Sequence, residues 1–131
     1  MYLKNSLYTI SAARQREALP SFGITLRADH AIYQAHFPGQ PITPGVCIIQ
    51  IAKELLEEHL GRPLLIRAIK NVKFVGIISP VETPEVTYRF DKIENVATGI
   101  KSQVTVLHGE TELTKISFTC VENEEVKKLR S

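Results

Sequence analysis

Residues 35–60, AHFPGQPITPGVCIIQIAKELLEEHL, predict a turn-rich loop that leads directly into one strong helix. Thr43 suits the N-cap, where its hydroxyl can accept a hydrogen bond from a free amide of the first turn. Pro44 suits the first helical position, which needs no N–H. Gly61 and Pro63 predict the end of the helix. We expect the rest of the chain to form a sheet around this helix.

The composition of the helix changes along its length. Residues 46–52, VCIIQIA, are apolar except for Gln50, whereas residues 53–60, KELLEEHL, alternate charge and leucine at helical spacing. We therefore expect the first half to be enclosed and the second half to reach the solvent. The amide of Gln50 would then lie in apolar surroundings near a helix N-terminus, which favours negative charge. This pattern is typical of the wall of a site.

Composition indicates a single ordinary domain. The 131 residues are 44% hydrophobic and 23% charged, which is enough for a real core but too little chain to divide comfortably. We expect one domain over residues 1–131, with residues 122–131 as a charged tail that is a frayed helix or disordered. A formal charge of +2, without aromatics interleaved in a basic stripe, argues against nucleic acid as a partner.

The cysteines and the lengths of the apolar runs indicate which compartment and which cofactors to expect. Cys47 and Cys120 form no C-x-x-C motif and have no Cys/His ligand spacing, which argues against a zinc site and a disulfide scaffold. The N-terminus has no sustained apolar segment, and no run approaches the ~20 residues of a membrane span. We therefore expect a cytoplasmic protein without a membrane span or a metal.

Alternating apolar residues predict strands outside the helix. The predicted segments are residues 7–10, 21–28, 64–78, 85–93, 98–108 and 111–121. Residues 11–19 fit either a strand continuation or a charged helical turn, and residues 64–78 fit one strand or two around a turn-like Lys70-Asn71. The last three strands follow one another without helices, so the sheet is predicted to be largely antiparallel.

The loop before the helix carries a recognisable signature. The pattern His36-Phe37-Pro38-Gly39-x-Pro41-x-x-Pro44-Gly45-Val46 resembles the active-site signature of the (3R)-3-hydroxyacyl-[acyl carrier protein] dehydratases of fatty acid synthesis, the FabZ and FabA type. Residues 71–80 stand where that family carries a similar strand ending in proline. The resemblance implies an α+β hot-dog fold, in which a curved antiparallel sheet wraps around one long central helix.

The resemblance also implies a reaction. Members of the family remove water from a 3-hydroxyacyl thioester to give the trans-2-enoyl thioester, with no metal and no organic cofactor. His36 would be the base for the C2 proton, since imidazole exchanges protons near neutral pH. The backbone N–H of Gly45 would bind the thioester oxygen. Phe37, Pro44 and Val46 are the further residues expected to contact the substrate.

Two positions on the helix depart from the family. The family has a carboxylic acid where this chain has Gln50, and a glutamine four residues later, where this chain has Glu54. Residues i and i+4 are neighbours on a helix face, so the acid and the amide have exchanged places. An amide cannot donate a titratable proton. We therefore keep Gln50 and Glu54 as catalytic candidates beside His36.

Three hypotheses for the proton source remain open. In the first, Glu54 supplies the carboxyl group through Gln50 or a water. In the second, Glu54 belongs to the solvated face of the helix and the site has no acid. In the third, His36 works alone, taking the C2 proton and returning it to the hydroxyl. Cys47 in the first helical turn is either a thiolate activated by the helix dipole or a small buried apolar residue.

Partners follow from the resemblance as well. The family's histidine and acid come from different subunits, so we expect a homodimer or a higher homo-oligomer. The substrate would arrive on an acidic acyl carrier protein, for which Arg67, Lys70 and Lys73 form either a basic landing patch or only a solvated strand edge.

The exchanged pair indicates a specialised lipid or polyene pathway. Two alternatives come from other functional classes. A catalytically silent acyl-thioester-binding subunit would explain Gln50 directly, and a hot-dog acyl thioesterase would hydrolyse a similar substrate.

Overall fold

The computed structural model describes residues 2–16, 18–35 and 39–130, without the side chains of Arg16 and Arg130. His36 and Phe37 therefore lie outside the described residues. The helices and strands are β1 Tyr8–Arg16, β2 Leu19–Leu26, α1 Ala31–Ala35, α2 Gly45–Leu60, β3 Leu64–Phe74, β4 Glu85–Val96, β5 Gly99–His108, β6 Thr111–Glu122 and α3 Glu124–Arg130.

The six strands form one antiparallel sheet in the order β1-β2-β4-β5-β6-β3. Buried side chains from α2 and from the strands form a single hydrophobic cluster. One long helix packed against an antiparallel sheet is the predicted α+β hot-dog fold, which is confirmed. No helix in the described part of the chain combines the length and the apolar composition that a membrane crossing requires.

The structure resolves the ambiguous segments. Residues 11–16 continue β1, which pairs with β2 after a register shift between Ile10 and Ala12. β3 is one strand with two register shifts, so the predicted interruption at Lys70-Asn71 is a bulge and not a turn. α1 was not predicted, and the charged tail contains α3.

The end of α2 follows the prediction. Gly61 adopts the left-handed conformation with φ 69°, and its N–H donates to the Glu57 carbonyl at 2.8 Å. Glycine accepts this conformation without the steric penalty of a side chain.

The predicted start of α2 is wrong by one residue. Pro44 is the N-cap, with extended backbone angles and no side-chain cap, and the helix begins at Gly45. The Thr43 hydroxyl lies 2.9 Å from the Tyr33 hydroxyl and is buried, and the Thr43 N–H donates to the Ile78 carbonyl. Thr43 therefore attaches the loop to α1 and to the segment after β3. Its hydroxyl is engaged by the Tyr33 phenol and does not cap the helix.

The predicted burial of α2 holds for much of the first half, where Cys47, Ile48, Ile51 and Ala52 are buried, but it is wrong for the second half. Val46 is 76% exposed and Gln50 is only partly buried, whereas Lys53, Glu54 and Glu57 are buried together with the leucines between them. The charged residues tolerate burial because each has a partner; Lys53 and Glu57, for example, form an ion pair at 3.3 Å. Burial thus continues from the apolar first half through Glu57, and Val46 and Glu58 are the exposed residues of the helix.

Candidate active site

The first turn of α2 presents backbone donors at the end of the signature loop. The Pro44 carbonyl accepts hydrogen bonds from the N–H groups of Cys47 and Ile48, at 3.0 and 3.1 Å. The first amides of a helix, here including that of Gly45, have no acceptor within the helix. Together with the helix dipole they favour an anion or a polarised carbonyl oxygen at this end.

Gly45 lies against an aromatic ring. A Cβ atom at this position would stand 2.8 Å from Cζ of Phe74, at the end of β3. Phe74 is 53% exposed, so its ring covers the start of the helix while part of it remains accessible. A side chain at this position would require the Phe74 ring to move, and the lack of one leaves the backbone N–H approachable.

Buried tyrosine hydroxyls hold the loop and the helix in place. Tyr33 contacts Thr43, as described above, and Tyr88 donates to the Ile48 carbonyl at 3.0 Å. Burial raises the pKa of both Tyr33 and Tyr88, which keeps the phenols neutral. Sequence analysis missed these roles, although Tyr88 stands at an inward position of an alternating strand.

The exchanged pair on α2 is in direct contact. Nε2 of Gln50 donates to Oε2 of Glu54 at 2.8 Å. Glu54 is only 4% exposed, so the hypothesis that it belongs to a solvated face is wrong. The helix thus carries an amide at the position of the family's acid, and a buried carboxyl group one turn behind it.

Glu54 is surrounded by donors. Its Oε1 accepts from the Lys4 N–H at 2.8 Å and from the Tyr8 hydroxyl at 3.0 Å. Its Oε2 accepts from the Leu3 N–H at 2.8 Å, in addition to Gln50. Burial and then the charge of Glu54 raise the pKa of Tyr8, so this phenol remains a donor. Four donors suit a carboxyl group in its ionised, acceptor-only form.

A second buried carboxyl group continues the network. Glu57 accepts from the Leu64 N–H at 2.7 Å, from the Tyr2 hydroxyl at 2.9 Å and from Lys53 at 3.3 Å. Residues 2–8 are therefore attached to the second half of α2 through both carboxylates. The contacts of residues 2–8 with Glu54 and Glu57 could not be recognised from the helical pattern, since these donors lie far away in the sequence.

A surface pocket adjoins the signature loop. It has a volume of about 450 Å³ and lies between residues 39–42 and residues 77–82. Ser79 fixes its far wall: the Ser79 N–H donates to Thr83 Oγ1 at 2.8 Å, and its own hydroxyl accepts from the Val81 N–H at 3.2 Å. The pocket is a candidate entrance for a ligand that reaches the start of α2.

The structure favours the second interpretation of Cys47, a small buried apolar residue. Its side chain is 4% exposed, and burial raises the pKa of the thiol, which opposes thiolate formation. Across residues 2–16, 18–35 and 39–130 no group of three or more His, Cys, Asp or Glu side chains is arranged to hold a metal ion.

An exposed apolar surface surrounds the start of α2 and continues along β3. Its members are large apolar side chains, each at least 48% exposed: Val46, Leu65, Ile69, Phe74, Val75, Ile77 and Val81. Arg67, Lys70 and Lys73 are exposed on the same edge strand. Several large exposed apolar side chains in one region are typical of an interaction site.

Of the predicted site residues, the structure places Pro44, Gly45 and Val46 at the start of α2, with Gln50 and Glu54 one and two turns further on. This helix and the sheet around it define a protein of the hot-dog class. The family model of the ApeI-like proteins, described as ApeI dehydratase, matches residues 12–110, and the chain belongs to this family. The match covers well over half of the 131 residues.

Curated relatives carry the name 3-hydroxyacyl-[acyl-carrier-protein] dehydratase FabZ. The protein from Latilactobacillus sakei is 28% identical over 89 residues, which are 63% of this chain and 63% of the relative. The protein from Clostridium acetobutylicum is 30% identical over 86 residues, 60% of each chain. The chain thus spans about three fifths of the length of these relatives. They confirm the resemblance to the FabZ type.

Solved structures agree with the fold. A chain of the dehydratase heterocomplex ApeI:P from Xenorhabdus doucetiae matches with a TM-score of 0.62 at 17% identity, over 86% of this chain and 96% of that chain. A protein from Erwinia carotovora subsp. atroseptica matches with a TM-score of 0.54 at 20% identity, over 86% and 91%. At such identities the likeness concerns the fold alone.

Proposed function

We propose that the protein dehydrates a (3R)-3-hydroxyacyl thioester on an acyl carrier protein to the trans-2-enoyl thioester, in fatty acid or specialised lipid biosynthesis. The observation that carries the proposal is the contact between Gln50 and Glu54, at 2.8 Å, on the helix that the signature loop enters. A retired site would have no need to keep the two exchanged side chains in contact.

The proposed roles begin with proton removal. His36 takes the C2 proton, and the N–H of Gly45 stabilises the charge that develops on the thioester oxygen. The C3–O bond then breaks, the C2–C3 double bond forms, and the hydroxyl leaves as water after receiving a proton. Phe37, Pro44 and Val46 line the reacting part of the substrate.

The proton for the leaving hydroxyl has two candidate sources. His36 can return the proton that it has taken, which needs no further acid. Alternatively, Glu54 supplies a proton through Gln50. The four donors around Glu54 favour the first source, because they suit an ionised carboxylate.

We further propose that a partner chain completes the site. The exposed apolar surface around Val46 and along β3 supports an oligomer, since a monomer rarely leaves such an area uncovered. A homodimer is the first candidate, and the Xenorhabdus heterocomplex makes a different chain the second. Light scattering of the purified protein distinguishes them: a dimer that Val46→Asp converts to a folded monomer supports self-association, and a wild-type monomer argues for another chain.

The carrier protein is proposed to approach along β3. Arg67, Lys70 and Lys73 are exposed there, and β3 contains no acidic residue. Charge reversal of all three should raise the KM for a carrier-bound substrate and leave that for a short pantetheine thioester unchanged. Equal effects on both substrates would leave these residues as a solvated strand edge.

The central experiment follows a trans-2-enoyl thioester and its 3-hydroxy counterpart by the ultraviolet absorbance of the conjugated enoyl group, with free thiol measured in parallel. Interconversion that His36→Ala lowers by about 10²-fold or more, at unchanged circular dichroism, supports the dehydratase. Thiol release identifies a thioesterase instead. Binding of the acyl thioester without either reaction identifies a silent binding subunit.

A further inference from the structure

A buried hydrogen bond closes the segment that joins α1 to α2. The Tyr33 hydroxyl lies 2.9 Å from Thr43 Oγ1, and the two residues are only 2% and 3% exposed. Tyr33 belongs to α1, and Thr43 precedes the Pro44 N-cap of α2. The bond therefore ties together the two ends of residues 34–42, and tying the ends of a segment reduces the number of conformations open to it.

Both partners in this hydrogen bond are fixed to the rest of the fold. On the side of α1, the Ile32 N–H donates to His30 Nδ1 at 3.0 Å, and the Tyr33 N–H donates to the His30 carbonyl at 3.1 Å. On the side of α2, the Thr43 N–H donates to the Ile78 carbonyl at 2.8 Å, and Ile78 is itself buried. The bond thus joins two anchored points of the chain.

The two hydroxyls depend on each other. In the described part of the chain neither has another hydrogen-bond partner. Burial raises the pKa of Tyr33, and the Cys47 thiol in the first turn of α2 raises it further, while the bond to Thr43 lowers it. The phenol is therefore neutral and lies close to the start of the helix. Because both hydroxyls are enclosed, removing one leaves the other buried without a partner.

We propose that Tyr33 and Thr43 are positioning residues for the dehydration, and that their hydrogen bond holds the signature loop and the first residue of α2 in the arrangement that turnover requires. This inference rests on the proposed dehydratase function. In the sequence, His36 lies inside the tied segment and Gly45 follows shortly after Thr43, so both groups assigned to the reaction are close to the bond along the chain. Neither hydroxyl is assigned a contact with the substrate, because each is engaged by the other.

The hydrogen bond can be removed with and without damage to the core. Tyr33→Phe leaves the Thr43 hydroxyl buried without a partner, which should lower the thermal midpoint. The double variant Tyr33→Phe/Thr43→Val removes both hydroxyls, and replacing both partners by apolar groups of similar shape should restore most of the stability. Thr43→Ser keeps the hydroxyl and is the conservative control. The comparison between the single and the double variant separates the stability of the core from the position of the loop.

The first readout is hydrogen exchange of the backbone amide of residue 43, which needs no turnover. In wild type this N–H donates to the Ile78 carbonyl. After correction for the intrinsic rate of each residue type, we expect exchange about fivefold faster in the double variant, the size expected for one net hydrogen bond, and near wild type in Thr43→Ser. The Gly61 amide, which donates to the Glu57 carbonyl at the other end of α2, is the internal control and should not change.

The second readout is steady-state kinetics over pH. We expect Tyr33→Phe and the double variant to lower kcat by about tenfold, because displacing reacting groups by less than about 1 Å has effects of this order. KM should change less than kcat, and the pH limbs should stay in place, since no titrating group of the reaction is removed. Thr43→Ser should keep most of the wild-type kcat. A purely structural role predicts instead that the double variant, with its stability restored, also regains the wild-type kcat.

Each outcome decides the inference. A wild-type kcat in the double variant would overturn it, and so would an unchanged exchange rate of the residue 43 amide. A loss of kcat in Thr43→Ser as large as that in the double variant would also overturn it, because Thr43→Ser keeps the hydroxyl. Absence of turnover in wild type would refute the proposed function and this role with it, whereas the exchange rates would still show whether the bond closes the loop.

Discussion

The two halves of α2 contrast in composition and in surroundings. The first half is apolar, opens with a glycine and leaves Val46 exposed, whereas the second half is rich in charge and is enclosed by the sheet and by residues 2–8. Both halves contribute to the buried interior: Ile48 and Ile51 from the first half, and the paired Lys53, Glu54 and Glu57 from the second. Residue type therefore wrongly predicts that the charged half is exposed, because burial depends on which polar groups find partners.

The strongest test of this contrast is a cavity in the enclosed half. Leu56 is fully buried, so Leu56→Ala should lower the free energy of unfolding by about 2–5 kcal/mol in urea denaturation. Val46→Ala in the open half should change it by no more than about 0.5 kcal/mol. Similar losses in both variants would mean that the halves are equally packed.

The hydrogen bonds to the buried carboxylates of the second half can be removed one at a time. Tyr8→Phe removes a donor from the buried Glu54, and we expect a loss of about 1.5–3 kcal/mol of stability, the range for a hydrogen bond to a charged group. Tyr2→Phe, which removes a half-exposed donor from Glu57, is the control and should cost less. The order of the two losses is the outcome to check.

The buried tyrosines also predict a dependence on alkaline pH. Burial raises the pKa of Tyr33 and Tyr88, and also that of Tyr8, so the folded state favours the protonated phenols. Their contribution is complete below the unfolded value of about 10 and is lost as pH rises beyond it. Denaturation at pH 8 and pH 11 should show the decline, and Tyr88→Phe should make it shallower. A decline of unchanged steepness in this variant would assign it to other groups.

The open half is tested at its first residue. Gly45→Ala adds a favourable helical residue but brings its Cβ against Phe74, so stability should change by less than about 1 kcal/mol in either direction. Turnover should fall more, because the displaced ring and the new methyl group obstruct the N–H. Adding Phe74→Ala should recover part of the turnover. A wild-type rate in Gly45→Ala would show that this amide does not bind the substrate.

The smallest effect is expected at the ion pairs of Glu122, the last residue of β6, with Arg62 and with Lys127 of α3. Hydrogen bonds from Lys127 and Arg62 lower the pKa of Glu122, so its contribution is present above the unfolded value and is lost as pH falls. These groups are exposed, and Glu122→Gln should leave the thermal midpoint unchanged within error at neutral pH. A clear shift would mean that α3 stabilises the fold more than its exposed ion pairs indicate.

Much of the architecture was predictable, because it depends on local patterns. Alternation of apolar residues gave β4, β5 and β6 within a few residues, and Gly61 gave the end of α2. The start of α2 was not predictable from Thr43 alone, since the Tyr33 phenol competes for its hydroxyl. The short helix α1 has too few residues to carry a periodic signal.

The candidate site was predictable to a smaller extent. The signature and the exchanged positions Gln50 and Glu54 can be read from the chain, and the spacing correctly placed these two side chains in contact. The donors that surround Glu54 could not be foreseen, because two are backbone amides and the third is a tyrosine, all distant in sequence.

The sequence by itself determined the hot-dog fold, the family and the position of the amide–acid pair, because these depend on hydrophobic period, turn residues and a spaced motif. Only the tertiary structure decided that the charged half of α2 is enclosed, what Thr43 binds and which groups surround Glu54. The physical reason is that a buried polar group is stable only with partners, and those partners come from distant parts of the chain.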